Sequence, residues 1–151
     1  MRRNLTIHCL WLGLLLALAA CGDNAPSSAL SHVTIHHAAG GENAFQVEIA
    51  DEPAELAHGL MGRQSLAPDH GMIFLFPQEK IVSFWMKNTP LFLDMIFIDA
   101  SGHIVHIHPM ARPYDETLIS STKPIKRVLE IKGGEAARQN IKIGDILSLS
   151  Q

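Results

Sequence analysis

The sequence predicts an α+β fold that is mostly β: a curled antiparallel or mixed sheet, or small barrel, with two short helices. Three observations predict it. Short apolar runs recur between turn-forming residues. Only two segments carry helix signals, and both are brief. No alternation of strands with long helices marks a parallel βαβ fold, and no internal repeat is present.

Eight strands are expected, in order. Val33–His37 and Phe45–Ile49 flank the turn-rich Gly40-Gly41-Glu42-Asn43 and form a hairpin. Phe45, Val47 and Ile49 alternate with Gln46 and Glu48, the period of a half-buried strand. The period then changes. Asp51 can cap a helix, and Glu52 and Pro53 suit its first turn. Leu56 and Leu60 share a face, Gly59 suits close packing, and Gly62 can end the helix.

Met72–Phe76 is continuously apolar between Gly71 and Pro77, as in a fully buried strand. Val82–Lys87 and Phe92–Ile98 follow, separated by Asn88-Thr89-Pro90. Asp99-Ala100-Ser101-Gly102 has turn chemistry, Asp first and Gly fourth, and leads into His103–His108. Thr117 to Thr122 is expected as a polar loop before the strand Val128–Lys132. Gly133 to Gln139 allows one or two helical turns, and Ile146–Ser150 is the last strand.

This domain is assigned to residues 32–151. Ahead of it, Arg2 and Arg3 precede an uninterrupted apolar and small-residue run, Leu10 to Ala20, of secretory rather than membrane-spanning length. Residues 1–20 are therefore expected to be an export signal. Leu18-Ala19-Ala20-Cys21 resembles the bacterial lipobox, which implies cleavage before Cys21 and acylation of that residue. Two or more acyl chains anchor stably where one is marginal. Ordinary cleavage at Ala-x-Ala, leaving a soluble protein, is the alternative. Residues 21–31 form the lipidated Cys21 and a polar, Pro-containing tether. Gly22 after the Cys resembles the default of Gram-negative lipoprotein sorting, which implies the outer rather than the inner membrane, with the domain facing the periplasm. The other cysteine, Cys9, falls within the signal, so the domain has no thiol for catalysis, a metal or a disulfide.

Without the signal, residues 21–151 carry 10 basic and 15 acidic side chains, a formal net charge of −5. That disfavours nucleic acid, whose phosphates call for a basic surface.

Several residues are candidates for chemistry. In an extended Val82–Lys87, Val82, Phe84 and Met86 face the core, which turns Trp85 to the other side beside Lys87. Trp85 offers a stacking face, Lys87 a charge, and Asn88 and Thr89 hydrogen bonds. Asp94 sits in Leu93-Asp94-Met95-Ile96 and needs a partner in so apolar a strand; Arg63 and Lys87 are the candidates. His106 and His108 share a strand face and are a weak metal pair, with no carboxylate or Cys to complete a ligand spacing. Ser120-Ser121 lacks any nucleophile-elbow context. No cofactor motif is present: the glycines around Leu60 lack the Gly-Lys-Ser/Thr of a phosphate loop.

The segments Gly59-Leu60-Met61-Gly62-Arg63, Gly71-Met72-Ile73-Phe74, Phe84-Trp85-Met86-Lys87-Asn88-Thr89, Leu93-Asp94-Met95-Ile96-Phe97-Ile98-Asp99, Ser120-Ser121, Val128-Leu129-Glu130 and Ile143-Gly144-Asp145, in this order, resemble the domain of unknown function 192 family. With Val47-Glu48-Ile49-Ala50-Asp51 they cover roughly residues 45–149. The resemblance implies a compact, mostly β domain, often exported or membrane-anchored, and no particular activity. The motif includes Arg63, Trp85, Lys87, Asn88 and Asp94, more polar residues than packing alone requires.

The resulting expectation is a non-enzymatic envelope lipoprotein that binds a small polar ligand or polymer, anionic or saccharide. Trp85 would stack on it, Arg63 and Lys87 supply charge, Asn88 and Thr89 hydrogen bonds, and Asp94 orient the cations. The alternatives are an envelope polymer hydrolase using Asp94 or Glu130 as acid and base, and a protein-interaction module.

Overall fold

A computed structural model of the chain describes residues 30–150. The expected export signal, Cys21 and all but the end of the tether lie outside the described residues.

Seven strands form one curled mixed sheet, a half-barrel. In chain order these are β1 (Ser31–His36), β2 (Glu42–Ala50), β3 (His70–Lys80), β5 (Leu93–Ile98), β6 (Ile104–Ala111), β8 (Ile125–Lys132) and β9 (Ile146–Ser150). Their order across the sheet is β6-β5-β8-β3-β2-β1-β9. Every pairing is antiparallel except β2 with β3, which run parallel on either side of the helix α1 (Pro53–His58). Two two-residue strands, β4 (Ser83–Phe84) and β7 (Ile119–Ser120), pair separately. The second helix, α2, covers Glu135–Arg138.

The edge strands meet at one end. His103 bridges Ile146, and the Leu147 N–H donates to the Gly102 carbonyl at 2.8 Å. Pairing at this end satisfies backbone groups that the two edges would otherwise leave open there.

The sheet is buried on both faces. Its inner face gathers side chains from all seven strands, among them Val33, Phe45, Ile73, Ile96, Ile104, Leu129 and Leu147, and is plugged by Ala136 of α2 and by Ile141. A second core lies on the outer face, where Met72, Phe74, Met95, Phe97 and Val128 are covered by Leu60 and by Val82–Met86. Double-sided burial explains why all six residues of β5 are inaccessible and why five of them are apolar, Asp94 being the one polar residue.

The hairpins form where turn chemistry put them. In the Asp99–Gly102 turn the Gly102 N–H donates to Asp99 at 3.2 Å, and Gly102 adopts φ +93°.

Four expectations need correction. Glu52, not Asp51, is the N-cap, because its carboxylate and that of Glu55 form a reciprocal capping box around Pro53. The helix stops at His58 rather than at Gly62. Gly59 terminates it with φ +50°, and a Cβ there would lie 3.1 Å from the Phe74 ring. The strand expected over Val82–Lys87 shrinks to Ser83–Phe84, since the Met86 N–H turns away to the Asp115 carbonyl at 2.8 Å. Finally, the loop Thr117 to Thr122 contains β7, so the described residues hold nine strands where eight are expected.

Candidate functional site

The segment Val82–Met86 straps the outer core. Val82 and Met86 are buried and Phe84 half-buried, while Ser83 and Trp85 are exposed, so the expected alternation survives in a chain that is strand for only two residues. Ser121 fastens the strap: its hydroxyl accepts from the Val82 N–H at 3.1 Å. Ser120 pairs with the Ser83 hydroxyl at 2.8 Å. Both serines are structural fasteners.

Beneath the strap runs a groove of about 550 Å³. The α1–Met61 segment forms one wall, Lys80–Met86 the other, and Phe74, Leu93 and Glu130 line its depth. Phe74 and Phe84 meet edge to face at 5.0 Å. Three large apolar side chains at the groove, Ile81, Trp85 and Leu118, are exposed, Trp85 by 42%.

Glu130 is the polar group at depth. It sits on β8 between Met72 of β3 and Met95 of β5, facing the outer core, and is 4% exposed. Burial alone pushes its carboxyl up to about 8 from 4.5. Wholly sealed side-chain polar atoms among the described residues all have partners. Glu130 has no such partner and opens onto the groove instead.

The six residues expected to form one site are divided. Trp85 and Thr89 line the groove. The Lys87 ammonium lies 5.0 Å above the Trp85 ring, a cation–π contact. Asn88 is exposed and left-handed at φ +55°, and its carbonyl accepts from the Gly62 N–H at 2.8 Å, tying this loop to the end of α1. The Thr89 hydroxyl donates to the Lys87 carbonyl at 3.2 Å.

Arg63 belongs elsewhere. Its Nη2 sits 2.7 Å from both carboxylate oxygens of Glu48, in a second groove of about 630 Å³ on the other side of His58–Met61. Arg63 and Glu48 side chains are 40% and 22% exposed.

Asp94 pairs with neither expected cation. Its carboxylate accepts three backbone N–H groups: Met110 at 2.8 Å, Gly134 at 3.0 Å and Ala136 at 2.8 Å. The cause is strand parity. Leu93, Met95 and Phe97 face the outer core, which turns Asp94 inward with Ile96 and Ile98. There it latches α2 to the sheet.

His106 stacks on Phe97, with centroids 5.2 Å apart; burial, then the neighbouring His108, hold its pKa below the usual histidine value. His37 is engaged by Asp145 at 2.9 Å. Among the described residues no three His, Cys, Asp or Glu side chains converge as metal ligands.

The floor of the groove was missed as a site. Phe74 and Leu93 read as core in the sequence, which they are, and only the strap's path opens a space above them.

Comparison with known proteins agrees with the fold. The model of the DUF192 family, described as "Uncharacterized ACR", matches residues 34–149. A solved structure from Sinorhizobium meliloti, described as a candidate transcription regulator, is 41% identical, with a TM-score of 0.79. The match covers 82% of this chain and 95% of that one. A protein of unknown function from Novosphingobium aromaticivorans is also 41% identical, with a TM-score of 0.76 over 79% of this chain and 84% of that one. No curated protein matches. The chain belongs to the DUF192 family.

Proposed function

We propose that this DUF192 protein is a lipid-anchored, non-enzymatic binding protein of the bacterial envelope that holds a small ligand in the groove beneath Trp85. One observation carries the reading: an apolar groove of about 550 Å³, within the size range of small-molecule sites, with a single buried acid, Glu130, opening into it. Leu10 to Ala20 and the Leu18-Ala19-Ala20-Cys21 sequence support the anchor and the periplasm-facing location, in the outer rather than the inner membrane.

The ligand expected from Arg63 and Lys87 acting together, anionic or saccharide, draws less support. Arg63 faces the second groove against Glu48, and the first groove is mostly apolar. A ligand with an apolar body fits better. The hydrolase reading weakens too, because Asp94 and Glu130 face opposite sides of the sheet and Asp94 is saturated by backbone donors. Nucleic acid fits neither the −5 charge nor helices of six and four residues.

The test is a thermal-shift screen of amphipathic small molecules on the full chain in detergent, repeated on Trp85→Ala. A ligand at 100 times its Kd stabilises by about 2.7 kcal/mol. Saturable shifts lost in Trp85→Ala support the reading; no saturable shift, or shifts indifferent to the substitution, defeat it. For the anchor, Cys21→Ala should abolish incorporation of labelled palmitate and block cleavage before residue 21. Unchanged processing and membrane association would refute it.

A further inference from the structure

We infer that the groove's ligand carries a protonated amine, an ammonium head on a compact apolar or aromatic body, and that Glu130 is its counter-ion; this rests on the groove being a binding site. Four acids are buried among the described residues. Three are satisfied by the protein. Asp94 accepts three backbone N–H groups. Asp145 accepts from the Ala38 and Lys142 amides and from His37. Glu135 accepts from Arg138 and Gln139. Glu130 is the exception: it is buried, and no donor or cation lies against it. A buried acid without a partner destabilises the protein, and a ligand cation relieves that.

The surroundings favour a cation over other partners. Glu130's lateral neighbours on the sheet, Met72 and Met95, have no proton to donate. The nearby lysines do not serve it. Lys80 lies 5.0 Å over the Phe76 ring and Lys87 5.0 Å over the Trp85 ring. Those contacts also indicate what aromatic side chains of this groove do: they hold ammonium groups. Phe74 and Phe84 bring further aromatic surface to the groove that Glu130 lines. A carboxylate in a groove that also presents aromatic faces suits a cation. A neutral hydroxyl would gain one hydrogen bond and no charge pairing, and an anion would be repelled by the ionised acid.

Pairing requires Glu130 to be ionised, so ammonium binding should expel a proton and strengthen with pH. With the free carboxyl near 8 and the amine charged throughout, Kd should fall roughly fiftyfold from pH 6 to pH 8.

The test is calorimetric titration of the full chain in detergent with three probes that share a phenylethyl body: 2-phenylethylammonium, 2-phenylethanol and 3-phenylpropionate, at pH 6, 7 and 8. Expected is an ammonium affinity at least tenfold above both others at pH 8, with the stated pH dependence. Heats in two buffers of different ionisation enthalpy should report proton release on binding at pH 7, which needs no variant. Glu130→Gln should remove the ammonium preference while leaving 2-phenylethanol binding within about threefold. Binding of the alcohol or the carboxylate equal to or tighter than the amine, absence of proton release, or an undiminished preference in Glu130→Gln overturns the ammonium assignment and leaves the groove standing. Failure of all three probes overturns both.

Discussion

Replacing Glu130 with Gln should change how the ligand-free protein responds to pH. The glutamine keeps the shape of the side chain and stands in for the protonated carboxyl. In the folded protein burial raises the Glu130 carboxyl to about 8, against 4.5 when exposed. Below pH 4.5 the acid is protonated in both states and stability is at its highest as far as this group is concerned. Stability falls as the unfolded chain ionises, and the fall is complete above pH 8. The gap corresponds to about 5 kcal/mol at ~1.4 kcal/mol per pH unit. Between pH 5 and pH 9 about 4 kcal/mol of it is expressed. Thermal melts of both proteins at pH 5, 7 and 9, followed by circular dichroism, measure it. Every other ionisable group is common to both proteins, so the difference between them isolates Glu130. The Tm of Glu130→Gln relative to the natural protein should rise by roughly 10–20 °C from pH 5 to pH 9. A difference constant to within about 0.5 kcal/mol across that range would refute the desolvation argument, and with it the view that this acid lacks a partner.

Other substitutions test the rest of the architecture. Asp94→Asn exchanges an acceptor of three amide hydrogens for a group with one acceptor and two donors; urea denaturation should show a loss of roughly 2–4 kcal/mol, and unchanged stability would contradict the latch. Gly71→Ala would bring a Cβ to 2.5 Å from the Glu130 carbonyl oxygen, so β3 and β8 must separate. A loss of about 1–3 kcal/mol is expected, and an undisturbed melting temperature would rule out that close approach. Arg63→Ala removes a half-exposed ion pair and should cost less than about 1 kcal/mol. It should also leave binding in the Trp85 groove unaffected; a large loss of probe affinity there would show that the two grooves act as one site.

The legible parts of the fold are those fixed by local chemistry. Asp99–Gly102 announces its hairpin, and the apolar run Met72–Phe76 announces a strand buried on both faces. Trp85 pointing away from Val82 and Met86 was readable from period two alone. What failed locally failed through competition. Asp51 and Glu52 are both plausible caps, and Glu55, three residues after Glu52, decides between them. Gly59 and Gly62 both offer a stop, and the ring of Phe74 decides. Val82–Lys87 alternates like a strand yet finds a ladder partner only in β7, too short and polar to be recognised. The candidate site was harder to read, because it depends on which segments lie across from one another. Arg63 finds Glu48, fifteen positions earlier in the chain, through the return of β3 beside β2.

The clearest case is the pair of strand acids. Asp94 and Glu130 look alike in sequence, each a carboxylate among apolar residues and each a candidate acid or base. Register separates them. On the β5–β8 ladder Asp94 lies opposite Ile131 and Met95 opposite Glu130, so the two acids sit one step apart and face opposite sides. A slip of one residue would set them side by side. The apolar residues forbid it: Leu129 and Ile131 must join Ile96 and Ile98 inside, while Val128 must join Phe97 outside. Slipping would turn that whole set over. The hydrophobic pattern therefore decides the chemistry of both acids, sending one to the backbone amides around α2 and leaving the other alone at the floor of an apolar groove.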